Sequence, residues 1–376
     1  MFKLKFIKNE TCEILFDQNI FLKKNITLKL KPIVKKNPTF IFIDKNLFSK
    51  MDLKLYCRKL KTELNAEIFL LKGGEHVKSL KTFQKYINKI FKKGVTAKSF
   101  IIAIGGGTII DLAGYIASVI YRGISFLSVP TTLLAAADAA ISCKNALNLN
   151  NGKNQIGSYQ LPKKIFIETR YVFDYLDTRY FWDGFAEIIK HGIGHSKKLL
   201  EYLEKNNSSY IKRKIIRNLN KKEKLEFIKD ISKILRLSIG SKSILFNKKN
   251  NELQRVYHFG HTIGHALEIA TKHKVFHGEA ITIGMLVAIE LSIKILNLDK
   301  KVLILSKKLF EKYHLITHID KDKFHQKLFE KAMEKDKKYF DEKNYFILMN
   351  KLFDIKETTD PIDKKDYMKI LKKYIY

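Results

Sequence analysis

Ser99-Phe-Ile-Ile-Ala-Ile-Gly105-Gly106-Gly107-Thr108-Ile-Ile-Asp111-Leu-Ala-Gly114 runs from an apolar, β-branched segment through three glycines into a helix-forming one. That is the order strand, tight turn, helix. Backbone amides at such a turn, and at the helix N-terminus behind it, attract phosphate. A triple glycine is not the G-x-G-x-x-G fingerprint, and any strand-to-helix turn can carry one. Two companions point the same way. Phe40-Ile-Phe-Ile-Asp44 is a hydrophobic strand ending in an acid, a typical acceptor for a ribose hydroxyl. Leu71-Lys-Gly-Gly74-Glu75-His76-Val77-Lys78 adds a glycine pair and charges at another loop. The three together predict a dinucleotide site.

Strand-like runs are predicted at 39–44, 66–72, 100–104, 125–130 and 164–168, with helical patterns between them. Alternation of this kind gives an α/β domain with a parallel sheet. After Arg170 the strand signal fades, and Lys/Leu/Ile/Glu patterns dominate to Lys373. The reading is therefore an α/β domain over 1–170 and a mostly helical domain over 171–376. Asn206–Asn220 and Asn247–Leu253 read as surface segments. Lys335–Asn344 reads as a charged loop leading into a strand at Tyr345–Met349.

The chain has 376 residues, 45% of them apolar and 12% aromatic, enough for two domains with buried cores. No apolar run reaches membrane-spanning length, and Met1–Lys8 lacks a signal-peptide core. Cys12, Cys57 and Cys143 are few and widely spaced, which argues against a disulfide framework. The cytoplasm is the expected compartment. The net charge of +33 invites a nucleic-acid reading. However, 63 lysines stand against 8 arginines, spread along the chain without an Arg-rich stripe or a recognised nucleic-acid module. No specific nucleic-acid partner is expected. The positive field speeds the arrival of an anionic substrate.

Two further segments carry chemistry. Arg255-Val-Tyr-His258-Phe-Gly260-His261-Thr-Ile-Gly-His265 is followed by His277-Gly-Glu279. If the chain is helical after Gly260, His261 and His265 stand on one face. Two imidazoles there suit one divalent cation or one reacting group. Asp183-Gly-Phe-Ala-Glu187-Ile-Ile-Lys190-His191-Gly192 reads as a helix that is apolar nearly all round. Such helices are buried. Glu187 and Lys190 are therefore read as a buried pair rather than an exposed one, and buried charges need a metal or a partner. A Glu/His/His triad with an open position is a catalytic Zn2+ or Co2+ site.

At this point the chain resembles the sugar phosphate cyclases, the superfamily of 3-dehydroquinate synthase. The resemblance spans about Phe40 to Lys338. It rests on Gly105–Gly107 with Asp111-Leu-Ala-Gly114, Tyr121-Arg122-Gly123, Val129–Leu134, Asp138, Lys144 and Gly152–Asn154. Further landmarks are Ala186–Lys190, Gly260–His265, His277–Ala280 and Asp336–Lys338. The resemblance implies an N-terminal Rossmann-like domain, a helical metal-binding domain, an active site in the cleft between them, and a homodimer. It implies Glu187, His261 and His277 as ligands of Zn2+ or Co2+. NAD is expected near Asp44, Glu75, Lys78, Gly105, Gly106, Gly107, Asp111, Thr131, Thr132 and Asp138, with Lys144 and Lys153 at its edge. Lys144, Lys153, Asn154, Lys190, Lys242, His265 and Lys338 are expected at a sugar phosphate substrate, with Arg122 on phosphate, here or in a neighbouring subunit. The implied reaction oxidises an alcohol transiently, eliminates phosphate, returns the hydride and closes a carbocycle by aldol addition.

The departures from 3-dehydroquinate synthase concern substrate. Where that enzyme has Gly-Gly-Lys-Thr-Gly, this chain reads Ser142-Cys-Lys144-Asn-Ala146, so positive φ is expected to be harder to adopt there. His258 replaces an Asn, Gln254 falls where an Arg holds the substrate carboxylate, and Ile110 replaces a small residue. Arg reads carboxylate bidentately, and few residues substitute for it. Ser142–Leu149 is closer to the 2-deoxy-scyllo-inosose synthases. The sequence therefore favours a neutral sugar phosphate such as glucose 6-phosphate over the 3-dehydroquinate synthase reaction. A metal-dependent polyol-phosphate dehydrogenase and a non-catalytic descendant are the other readings.

Overall fold

In the computed structural model the described residues are 11–16, 25–49, 53–149, 152–169, 178–212, 219–247, 256–339, 344–358 and 360–376. The chain divides into two units, Met1–Leu176 and Asp177–Tyr376. The first is built on strands β1 (Glu13–Phe16), β2 (Thr39–Asp44), β3 (Ala66–Leu71), β4 (Phe100–Gly105), β5 (Ser125–Pro130) and β8 (Lys164–Ile167), all parallel, in the order β1-β8-β5-β4-β2-β3. β6 (Lys144–Leu149) and β7 (Gly152–Tyr159) form a separate antiparallel hairpin. Helices α1 (Asn25–Val34), α2 (Leu53–Glu63), α3 (Leu80–Lys92), α4 (Gly107–Val119) and α5 (Leu133–Ala137) intervene.

β4 is buried along its whole length. A strand covered on both faces needs a continuous apolar run, which Phe-Ile-Ile-Ala-Ile supplies. β3 and β4 flank β2 on opposite sides, so the strand order reverses between β2 and β4. In open α/β sheets a ligand binds at the carboxyl ends of the strands at such a reversal. Those ends are Asp44 and Gly105.

The second unit is mostly helical: α6 (Thr178–Asp183), α7 (Phe185–His195), α8 (Lys197–Lys205), α9 (Lys221–Asn247), α10 (His261–Ala270), α11 (His277–Leu296), α12 (Lys301–Lys312), α13 (Gln326–Tyr339) and α14 (Lys364–Leu371), with a hairpin of β9 (Ile347–Lys351) and β10 (Asp354–Glu357). α7 is buried from Phe185 to Gly194, as its all-round apolar sequence requires. Among the described residues no helix is long and apolar enough to cross a membrane.

Three local expectations are corrected. Lys335–Tyr339 continues helix α13 rather than forming a loop, because a charge run with helical propensity extends a helix already started at Gln326. The segment after Asn206 is not all surface: Tyr210 is fully buried against Trp182 and Phe227, its hydroxyl donating to Asp230 at 2.5 Å. The β6–β7 hairpin and the edge strand β1 were not expected as strands, since neither has the long apolar run of the central strands. Most of Asn247–Leu253 lies outside the described residues.

Candidate active site

At the reversal in the sheet, Gly106 begins α4 in an extended conformation without a side-chain cap, so the first amides of the helix are left for a ligand. The Asp44 carboxylate closes the turn beside it, accepting from Asn46 N at 3.0 Å and Gly73 N at 3.2 Å. Thr131 N–H donates to Gly105 O at 3.0 Å, and Thr132 caps α5 with Asp138 at its other end. Lys78 is buried and reaches both Asp111 Oδ2 and Asn154 Oδ1 at 2.5 Å. Asn148 donates to Glu75 Oε2 at 2.7 Å and accepts from Asn154 N at 3.0 Å, while Lys153 Nζ lies 3.8 Å from Glu75 Oε1. Glu75, Lys78 and Asp111 thus share one network with Asn148, Lys153 and Asn154 of the hairpin.

Burial raises the Asp111 carboxyl to about 6, although the Lys78 ammonium opposes the shift. A carboxyl whose folded pKa is raised contributes most stability below its unfolded pKa, and that contribution is lost as pH rises through about 6. Lys78→Met removes the opposing charge and leaves a largely buried carboxylate alone. It should cost about 3–5 kcal/mol at pH 8. The deficit against wild type should shrink toward pH 5, where Asp111 holds a proton. Urea unfolding at the two pH values checks this; a deficit independent of pH would contradict the pairing.

Arg122 is exposed in a left-handed turn with Tyr121 (φ 64 and 47), just after the C-terminus of α4. A helix of 13 residues puts it about 18–20 Å from Gly107. Lys144 opens β6. Cys143 before it has φ 57, so the backbone adopts the left-handed region there without a glycine. Ile110 packs into the core on α4.

In the second unit, Glu187 is fully buried on α7. His261 Nε2 lies 3.5 Å and His277 Nε2 4.0 Å from its Oε1. One ligand atom from each of Glu187, His261 and His277 lies within 4.8 Å of the others. Lys190 Nζ is 2.5 Å from Glu187 Oε2 as an ion pair, yet neither oxygen has a hydrogen-bond partner among the described residues. A buried carboxylate in that state calls for a cation, and one carboxylate with two imidazoles suits Zn2+ or Co2+. His261 Nδ1 faces the Phe259 carbonyl at 3.2 Å, which can only accept, so Nε2 keeps its lone pair toward Glu187. Burial, then the charges of Lys190 and the neighbouring histidines, holds His261 well below the usual imidazole range. For His277 burial acts downward too, but Glu268, Glu187 and Asp183 outweigh it and lift the ring to about 9.

Lys190 donates to Tyr257 O at 2.6 Å. Tyr257 OH donates to Lys242 O at 2.8 Å, and the buried Lys242 ammonium lies 5.3 Å from the Tyr257 ring. Tyr257 therefore ties two expected substrate lysines to the segment carrying His258. His265 is exposed, its ring 5.2 Å from that of His261 and 5.8 Å from that of His277. His258 is also exposed, 5.8 Å from His261 ring to ring. Lys338 lies on α13 with its side chain outside the described residues, as are Gln254 and Arg255 altogether.

Sequence reasoning missed Glu268 and Asp183. Glu268 is buried with Oε2 3.4 Å from His277 Nδ1. It falls three positions after His265 and seven after His261 along α10, on the same face, and that spacing was the signal. Asp183 accepts from Glu279 N at 3.0 Å and so fixes the start of α11, where His277 sits; burial raises its carboxyl to about 7. Arg179 holds Glu279 bidentately at 2.7 and 2.6 Å. No local pattern marks either contact.

The family models for the 3-dehydroquinate synthase N-terminal and C-terminal domains match residues 68–182 and 184–339. The chain is 34% identical to the 3-dehydroquinate synthase of Thermoanaerobacter pseudethanolicus over 92% of its own length and 94% of the relative's. Its fold is similar to that of a 2-epi-5-epi-valiolone synthase from Streptomyces hygroscopicus subsp. jinggangensis with NAD+ and Zn2+ bound (TM-score 0.80, 21% identity, 99% of each chain). It is also similar to that of a 2-deoxy-scyllo-inosose synthase complexed with carbaglucose-6-phosphate, NAD+ and Co2+ (TM-score 0.73, 24% identity, 96% of each chain).

Proposed function

The chain belongs to the 3-dehydroquinate synthase family, an enzyme family of the sugar phosphate cyclase superfamily, and from that premise we propose that it is itself a NAD- and metal-dependent 3-dehydroquinate synthase. The cluster of Glu187, His261 and His277, with its unsatisfied buried carboxylate, carries the chemistry. The substrate assignment, 3-deoxy-arabino-heptulosonate 7-phosphate, is supported by 34% identity over 92% of the chain to a 3-dehydroquinate synthase, against 24% to the inosose synthase. That outweighs the preference for a neutral sugar, which was drawn from Gln254 and from the likeness of Ser142–Leu149 to the inosose synthases.

A divalent cation on the cluster supplies Lewis acidity toward a secondary alcohol, and NAD supplies a hydride acceptor and donor. The chain's own residues do the rest. Lys190, whose ammonium is held by the Tyr257 carbonyl, and Lys242, whose ammonium faces the Tyr257 ring, would supply positive charge to an anionic substrate. Lys153 and Asn154 present further donors from the hairpin. His265, exposed with its ring 5.2 Å from that of His261, is our candidate for the proton relay. The enzyme is taken as a homodimer, with Arg122 serving the neighbouring subunit.

Phosphate release measured with each sugar phosphate tests the reading. The heptulosonate phosphate should turn over with catalytic NAD and no accumulating NADH, with kcat/KM at least about tenfold above that for glucose 6-phosphate. The reverse preference would restore the neutral-sugar reading, which Gln254 motivates. Stoichiometric NADH would indicate a dehydrogenase.

A further inference from the structure

We infer that Glu268 is a positioning residue that fixes which nitrogen of His277 faces the metal-binding cluster. The inference rests on the metal-site reading above. The His277 ring lies between two carboxylates, Glu268 Oε2 at 3.4 Å from Nδ1 and Glu187 Oε1 at 4.0 Å from Nε2. Glu268 is buried, its side chain only 5% exposed, so it lies against the ring rather than in solvent. A carboxylate only accepts, so Nδ1 carries the hydrogen, and in the neutral ring that a metal requires Nε2 is left as the nitrogen with the lone pair, toward Glu187 and His261. His261 is set the same way by the Phe259 carbonyl. Without an acceptor at 268, the His277 ring is free to take the other tautomer or to turn, and each competes with ligation.

Glu268 comes from α10, the helix that carries His261 and His265, while His277 opens α11. One helix therefore supplies both a ligand and the group that orients a ligand on its neighbour. His265, Glu268 and His277 also form a cluster with ligand atoms within 4.8 Å. This makes the opposite assignment, Glu268 as a ligand itself, a defined alternative.

Zinc affinity of the full chain, measured by competition with a chromophoric chelator, separates these roles. Glu268→Ala and the volume-preserving Glu268→Met both delete the acceptor and should weaken zinc binding about 10–100-fold, the usual cost of losing such a partner. Glu268→Gln keeps an acceptor oxygen without charge and should recover most of the loss. Unchanged affinity in Ala or Met would overturn the inference, as would a Gln variant no better than Met. Thermal unfolding of the metal-free proteins identifies any variant that has lost its fold; Met and Gln then carry the comparison. His261→Ala is the control on the underlying reading and should bind no zinc at this site. Wild-type affinity in His261→Ala, with complete loss in Glu268→Gln, would place the metal on His265, Glu268 and His277 and overturn the reading and the inference together.

Discussion

His261→Ala is expected to strip the protein of its divalent metal and to lower turnover by about three orders of magnitude or more. His261 is one of two imidazoles that converge on Glu187, its Nε2 3.5 Å from the carboxylate oxygen. Alanine leaves two ligands, too few for a catalytic site that needs three and an open position. The Lewis acidity lost is worth several kcal/mol of transition-state stabilisation, and each 1.4 kcal/mol is tenfold in rate. NAD affinity should change little, because Asp44, the glycine loop and the Lys78 network belong to the first unit. Metal content by mass spectrometry, NAD titration and phosphate release check the three parts. A metal-replete, active His261→Ala protein would sink the metal-site assignment.

The second large effect is expected at Gly284, two turns beyond His277 on α11. A Cβ there would meet Gly260 O at 2.0 Å and Gly264 N at 3.0 Å, both backbone atoms that cannot swing aside. Gly260 itself is left-handed (φ 80) and would place its own Cβ 2.7 Å from Met285 N. The helices carrying His261 and His277 therefore cross with backbone in contact. Gly284→Ala should force them apart and cost about 3 kcal/mol, the upper part of the usual range for overpacking. A drop in Tm of roughly 6–12 °C follows for a unit of this size. Zinc affinity should fall with it, since the ligands move with their helices. Gly240→Ala is the matched control: nothing lies within 4 Å of that Cβ, and the substitution should stabilise α9 by up to about 1 kcal/mol. Equal behaviour of the two variants in thermal unfolding and zinc titration would refute the close-crossing account.

Local pattern determined much of this protein. Five of the six strands of the parallel sheet, the turn at Gly105–Gly107 and the buried helix around Glu187 were legible because each is written within a dozen residues, as an apolar run or an apolar surround. The His261–His265 face was legible for the same reason, being a matter of helical period. The resemblance to a family then implied which histidines join Glu187. Tertiary structure alone decided the rest. Glu268 meets His277, Asp183 meets the start of α11, Tyr257 binds two lysines, and Lys78 meets Asp111 and Asn154. Lys78 and Asn154 are 76 positions apart, and Asp183 and Glu279 are 96 apart. Hydrogen bonds and ion pairs act over a few ångströms and leave no period in the sequence, so only the folded chain shows which polar groups satisfy one another. The same holds for Cys143, whose left-handed backbone is imposed by the hairpin it enters and not by its own preference.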